Sequence, residues 1–135
     1  DHFSVLTDGR HAAHSRLVAR LSAVGEPVVI PVIAVEEQLR AWLAQLHRVR
    51  DVHEQVWPYD RLVRLLEILG QWEVLRWSEA AADKFARLRR QHVRIGTQDL
   101  KIAALALANE ALLLSANLRD FERVPGLQVE DWLYG

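Results

Sequence analysis

The sequence predicts a three-layer α/β domain built around a central parallel sheet. Four short stretches rich in Val, Ile and Leu carry the first half of that reading: "PVVIPV" (27–32), "WEVLRW" (72–77), "ALLLSA" (111–116) and "LQVEDW" (127–132). They have the length and the nearly unbroken apolar character of strands buried on both faces. Stretches with helical spacing alternate with them, and strands separated by helices build a parallel sheet covered on both sides. The order of elements adds a third observation. The first patterned element is a helix, whereas a sheet wound this way begins with a strand. The expectation is that a central N-terminal strand is missing ahead of Asp1. The absence of any Met agrees with a chain that does not open at a translation start.

The helices follow from their apolar spacing. Residues 11–24 place Leu17, Val18, Leu21 and Val24 on one face. Residues 34–50 repeat Val35, Leu39, Trp42, Leu43 and Leu46 at helical intervals. Residues 60–69 carry Leu62, Leu65, Leu66 and Leu69, and Gly70 supplies a stop. The stretch "SEAAADKFARLRRQ" (78–91) opens on Ser78, a good N-cap. Residues 98–109 form an apolar helix that must be buried on nearly every side. A short helical turn follows at "NLRDFER", and the "PG" at 125–126 turns the chain into the last strand.

Composition sets the outer limits. A chain of 135 residues, 50% hydrophobic and 26% charged, is expected to form a single domain over 1–135 with a sizeable core. No apolar run reaches the roughly 18 residues of a membrane span, and no secretory leader is visible, so a cytoplasmic protein with no membrane partner is expected. Zero Cys excludes disulfides and thiolate metal sites. The net charge of −1 neither favours nor excludes nucleic acid. Lys84 and Lys101 are the only lysines among 17 basic residues, a bias toward Arg that suits phosphate recognition or reflects a GC-rich genome.

The chemistry lies in the acids. In an open parallel sheet the helix N-termini share an edge with the strand C-termini, and ligands bind there. Glu36 and Glu37 follow the first strand, Asp99 opens the helix 98–109, and Asp120 follows "ALLLSA". Asp1 would follow the missing strand. Carboxylates gathered at one edge raise one another's pKa unless a positive charge lies between them, and a hard divalent cation such as Mg²⁺ or Mn²⁺ suits such a donor set. Each acid also has a structural reading. Asp99 sits two residues after Thr97, itself a good N-cap, and favours the helix dipole. Asp120 is spaced from Asn117 as in a capping box. Glu36 pairs with Arg40 at i, i+4, and Glu37 reaches the same Arg at i, i+3. Spacing alone leaves the two readings open.

The stretches "DHFSVL", "IAVEEQLRAWLA", "AAADKFARLRRQHVRIGTQDLKIAALALA" and "SANLRDFERVPGLQVEDW" together resemble the PIN-domain ribonucleases of the VapC toxin family. The resemblance covers nearly the whole chain, and "IGTQDLKIAA" followed by "SANLRDF" is its most specific part. It implies a PIN-like α/β/α fold and a metal-dependent ribonuclease, the toxin of a type II toxin–antitoxin pair, using Mg²⁺ or Mn²⁺. Carried over by position, it implies metal-binding and catalytic roles for Glu37, Asp99 and Asp120. Asp1, Thr97, Ser115 and Asn117 would flank the site. The family's first acid belongs to a pattern like "LDTDHFS" and would fall two residues before Asp1. Ala34 stands where the family often has Thr or Ser. The resemblance also implies an RNA substrate, a cognate antitoxin as partner and a homodimer.

Arg87, Arg89, Arg90 and Arg94, with His92, form the densest basic cluster and lead toward Asp99. They read either as an RNA-binding patch or as a solvated helix C-terminus. His11 and His14 read as surface residues, and the six His show no pairing. Trp42 and Trp57 are candidates for a protein interface. Two other functions compete with the nuclease. One is a catalytically impaired PIN-fold interaction module. The other is a receiver-like phosphoacceptor domain, against which the lack of a Lys after the late strands argues.

Overall fold

The computed structural model describes residues 2–134. Its elements run α1 (His2–Thr7), α2 (His14–Ala23), β1 (Val29–Pro31), α3 (Val32–Arg48), α4 (Val56–Leu69), β2 (Glu73–Leu75), α5 (Glu79–Arg90), α6 (Thr97–Ala108), β3 (Leu113–Leu114), α7 (Leu118–Phe121) and β4 (Val129–Glu130). Every expected strand and helix is present. Two elements depart from the sequence reading. The helix α1 carries no start signal and is too short to show a period. The helix α4 begins four residues before its expected start, because Pro58 falls in the first turn, where its missing N–H costs no helical hydrogen bond.

The strands pair in parallel, but as two separate pairs. β1 lies on β2 in the register Val29↔Glu73, Ile30↔Val74, Pro31↔Leu75. β3 lies on β4 in the register Leu113↔Val129, Leu114↔Glu130. The stretches expected to be fully buried strands therefore shorten to two or three residues, and only Ile30 among them is buried. The physical reason is pairing: with one neighbour each, the strands lack half of the hydrogen bonds and half of the cover that a central position provides.

The helix α6 organises one half of the molecule. Ala103, Ala104 and Leu105 have no exposed surface, and small side chains at two of these positions let α5 pack closely against α6. Leu88 of α5, Phe121 of α7 and Val124 complete this core, with Trp77 edge-on to Phe85 at its margin. Ser78 caps α5 as expected, its Oγ accepting the Ala81 N–H at 3.1 Å. At the end of this core Leu127 N–H bonds back to Val124, with Pro125 and Gly126 as the two central residues. Gly126 has φ +79°, the left-handed position that a type II turn reserves for glycine.

The second core joins Val5 of α1, Leu17 and Leu21 of α2, and Leu133 near the chain end. Arg61, almost fully buried, fastens α4 to this unit. Its guanidinium donates to Thr7 Oγ1 at 3.2 Å, approaches Asp8 at 3.5 Å, and stacks over Trp42 at 4.8 Å and Trp57 at 5.4 Å. Trp42 and Trp57, 6.4 Å apart and nearly perpendicular, thus serve the fold on one side, while Trp57 remains exposed on the other. His11 and His14 are half-buried rather than on the open surface. The His11 Nδ1 accepts the Ala13 N–H, which closes the turn before α2.

His2 is a pairing that the sequence did not reveal. It is buried, its Nε2 accepts the Trp132 N–H at 2.9 Å, and Asp131 lies 3.6 Å away. Burial outweighs the nearby carboxylate and pushes its pKa down to about 4.

Two predictions follow from this packing. Leu105→Ala should cost about 3 kcal/mol and lower the melting temperature by roughly 10 °C, read by calorimetry. The unfolded chain protonates His2 near pH 6.5, before the folded chain does, so stability present above that pH is lost as the pH falls toward 4. Urea titrations at pH 7 and 4.5 should show that loss, up to about 3 kcal/mol, and His2→Gln should reduce it.

Candidate active site

Both strand pairs deliver their C-terminal ends to one edge. β1 runs directly into α3, which carries Glu36 and Glu37 in its first two turns. β3 leads through Ser115 to Asn117 and Asp120. The N-terminus of α6 arrives at the same place, with Gln98 and Asp99 in its first turn.

Hydrogen bonds tie these elements together. The Asn117 side-chain amide donates to Asp120 at 3.0 Å and to Asp99 at 3.4 Å, so one amide bridges two carboxylates. Ser115 Oγ accepts the Asn117 N–H at 3.0 Å and fixes the turn that presents the amide. Gln98 donates to Glu36 at 2.9 Å, joining α6 to α3. Gln38 donates to Ser4 at 2.7 Å, bringing the start of α1 to this edge.

The two glutamates divide their work. Glu36 accepts from Gln98 and from Arg40, at 2.9 and 2.7 Å, and these partners hold its pKa below the usual range. Glu37 makes no hydrogen bond or ion pair among the described residues. The walls on one side of it desolvate its carboxyl, and the charge of Asp99 adds to this, so its pKa is raised. Asp99 is raised by its own burial and then by Asp120, with Asn117 opposing. Glu37 therefore feels Asp99, and Asp99 feels Asp120, across the edge.

The expected Thr97 cap is not formed, although Asp99 does sit in the first turn of α6, where an acid suits the helix dipole. The N-cap of α6 is Gly96, no side chain caps it, and Thr97 is the exposed first residue of the helix. Asn117 stands at the N-cap of α7 without a side-chain cap hydrogen bond, and its NH2 group donates to the carboxylates instead. Glu37, Asp99, Ser115 and Asn117 line one cavity, while Asp120 meets them from its margin through Asn117. Asp1 lies outside the described residues. Arg87, Arg89 and Arg90 are exposed on the last turns of α5, and Arg94 lies in the loop leading to α6. Arg89, His92, Arg94 and Thr97 share a shallow groove of about 250 Å³ beside the acid edge. Sequence reasoning missed Gln98 and Gln38. Amides give no charge pattern, and only their partners on other elements reveal them.

The donor set is chemically suited to a hard divalent cation: carboxylate oxygens, two of them with raised pKa, with no imidazole or thiolate among them. Among the described residues, however, no three acids or imidazoles converge into a closed metal cluster.

Fold and site together define a parallel α/β domain with carboxylates converging at the C-terminal edge of its strands. The PIN domain family model matches residues 3–127, and the chain belongs to that family. Among curated relatives, the "tRNA(fMet)-specific endonuclease VapC" of Salmonella typhimurium is 35% identical over 79 residues, 56% of this chain and 60% of that protein. The "Ribonuclease VapC2" of Haemophilus influenzae is 33% identical over 81 residues, 57% of this chain and 61% of that one. The chain thus spans about three-fifths of the length of these relatives. Among solved structures, DNA-bound VapBC from Salmonella typhimurium superposes with a TM-score of 0.75 at 22% identity, over 98% of this chain and 95% of that chain. VapBC-1 from nontypeable Haemophilus influenzae gives 0.73 at 21%, over 96% and 92%. At these identities the superpositions speak for the fold.

The raised carboxylates lead to a prediction. Ionised Asp99 costs stability at pH 7, and this cost disappears as the pH falls through its raised pKa and the acid is protonated in both states. In EDTA, Asp99→Asn should therefore melt above the parent chain at pH 7, with the difference shrinking toward pH 4. A variant less stable than the parent at pH 7 would return Asp99 to a structural role.

Proposed function

We propose that this protein is a metal-dependent endoribonuclease, the toxin component of a type II toxin–antitoxin system, acting as a single domain in the cytoplasm. The observation that carries the reading is the convergence of Glu37, Asp99 and Asp120 at one sheet edge in a member of the PIN domain family. The ribonuclease and endonuclease names of the curated relatives support it. No described helix is long and apolar enough to cross a membrane.

Asp99 and Asp120 would hold Mg²⁺ or Mn²⁺, with Glu37 completing the donor set or positioning the attacking water. The bound ion supplies Lewis acidity toward a phosphodiester and its attacking water. The protein's own contribution is orientation. Asn117 holds the Asp99 and Asp120 carboxylates toward each other, and Ser115 holds Asn117. Arg40 neutralises Glu36 and Gln98 donates a hydrogen bond to it, which leaves Glu37 as the acid of α3 that faces the site. Arg87, Arg89, Arg90 and Arg94 would take RNA phosphates and draw the strand across Thr97 toward Asp99, binding that weakens with salt.

A protein partner fits elsewhere. Leu39 and Leu43 on α3, with Val56, Trp57, Val63 and Leu66 on α4, leave apolar side chains exposed. Such a face suits a cognate antitoxin, or a second copy in a homodimer. The VapBC complexes among the structural neighbours support the antitoxin. The same face, together with the open arrangement of the acids, favours a second reading, an interaction module with an impaired site.

The test is RNA cleavage with Mg²⁺ or Mn²⁺, run on this chain and on a form extended by a strand bearing an Asp two residues ahead of Asp1. Cleavage should vanish in EDTA and in Asp99→Asn, and should fall about 10- to 100-fold in Asn117→Ala, the scale of losing an outer support of a metal ligand. Cleavage that survives EDTA or Asp99→Asn would contradict the reading, and absence of cleavage by both forms would favour the interaction module.

A further inference from the structure

The basic residues ahead of α6 are not equivalent. Arg89, His92, Arg94 and Thr97 line the groove of about 250 Å³ beside the acid edge, with Phe85 and Ile95 half-buried among them, whereas Arg87 and Arg90 lie outside it. Two contacts shape this groove. The Arg89 guanidinium lies over the Phe85 ring, 5.7 Å from its centroid, which holds its plane at the groove instead of leaving it free in solvent. From the acid turn, Arg123 Nη1 donates to the Arg94 carbonyl at 3.1 Å and lies 4.0 Å from the Asp120 carboxylate. One arginine thus ties the loop that carries Arg94 beside Asp120. Thr97, which shares the groove, opens the helical turn that carries Asp99.

His92 is the unusual member. The chain leaves α5 through a turn in which the His92 N–H donates to the Arg89 carbonyl at 3.1 Å and the Val93 N–H to the Leu88 carbonyl at 3.2 Å. These are the two bonds of a Schellman motif, whose left-handed residue is ordinarily glycine. Here that residue is His92, with φ +58°. Its side chain is exposed and makes no hydrogen bond, ion pair or ring contact among the described residues. The fold gains no polar contact from the imidazole, and its backbone would be served better by glycine. A ring kept at the groove against the backbone's preference points to a use outside the fold.

The chemistry of the groove names that use. A guanidinium plane and an imidazole ring are surfaces on which unpaired bases stack. The cation of Arg94 and the hydroxyl of Thr97 beside them suit a phosphate. The volume is below the roughly 300 Å³ at which pockets begin to enclose whole small ligands, and it leaves room for one nucleotide unit. A paired helix turns its bases inward and offers no face to stack on.

We propose that this groove is a subsite for one unpaired nucleotide of an RNA strand running into the acid edge, its base against Arg89 and His92 and its phosphate at Arg94 and Thr97. The proposal takes RNA as the ligand from the nuclease reading, but it requires binding only and no cleavage.

Fluorescence anisotropy in EDTA tests it, with a labelled oligoribonucleotide of about eight nucleotides, single-stranded or paired with its complement. The parent chain should bind the single strand more tightly than the duplex. His92→Gly and Arg89→Ala should each weaken single-strand binding about 5- to 100-fold, the scale of losing one stacking partner, and weaken duplex binding less. His92→Tyr, which keeps a ring, should retain most of the affinity. Arg87→Ala, outside the groove, should weaken both by one similar factor that shrinks with added salt. By calorimetry His92→Gly should melt no lower than the parent, which separates its loss of binding from unfolding. Equal binding of both RNA forms by the parent would overturn the proposal, as would a His92→Gly variant that binds as the parent does or that melts well below it. Groove-dependent binding without Mg²⁺- or Mn²⁺-dependent cleavage would uphold the subsite and end the nuclease reading. Cleavage with binding indifferent to His92 and Arg89 would do the reverse.

Discussion

The burial of α6 is the constraint on which the rest depends. Ala103, Ala104 and Leu105 are shut off from solvent, and their neighbours leave the helix little freedom to rotate or slide. One end of such a helix must still reach the surface. It does so at the sheet edge, and the residue set just inside it is an acid. Asp99 is therefore held by packing rather than by capping, since no side chain caps the helix and Thr97 faces solvent. A rigid core element that ends in a carboxylate is a precise way to fix a charge in space.

That placement creates electrostatic frustration. Asp99 is partly desolvated and faces Asp120, and Glu37 is desolvated on one side and faces Asp99. A purely structural arrangement would pair these charges, as Glu36 is paired by Gln98 and Arg40 on the same edge. The contrast between adjacent residues on one helix is informative. One glutamate is committed to holding α3 against α6, while the next is left to interact with whatever enters the site. Asn117 moderates the repulsion between the aspartates with two hydrogen bonds but brings no charge to cancel it.

Much of this was legible in the sequence. Apolar periodicity located α2, α3 and α4, the Ser78 cap marked α5, unbroken apolar character marked α6, and the Val-, Ile- and Leu-rich stretches located the four strands. Topology alone gathered Glu36, Glu37, Asp99 and Asp120 at one edge, because parallel winding brings strand ends and helix starts together; the choice of Glu37, Asp99 and Asp120 among them came from the family resemblance. What was hidden depends on partners distant in the chain. Gln98 and Gln38 act through Glu36 and Ser4 on other helices, and His2 acts through Trp132 at the opposite end of the sequence. The helix α1 was too short to show a period. Thr97 carried a misleading signal, since a good capping residue fell one position inside the helix. Strand length was overestimated because composition reports which residues can pair and not whether a neighbour is there to pair with.

The central claim is that the edge formed by Glu37, Asp99 and Asp120 is a divalent-cation site. Paramagnetic broadening tests it without reference to any substrate: Mn²⁺ is added to the ¹⁵N-labelled chain and the loss of each amide signal is followed. The account predicts that the first turn of α6, the start of α3 around Glu37 and the turn from Asn117 to Asp120 broaden together and first, and that excess Mg²⁺ restores them. Broadening spread evenly over the surface acids, or signals at these three segments that persist while others fade, would contradict it.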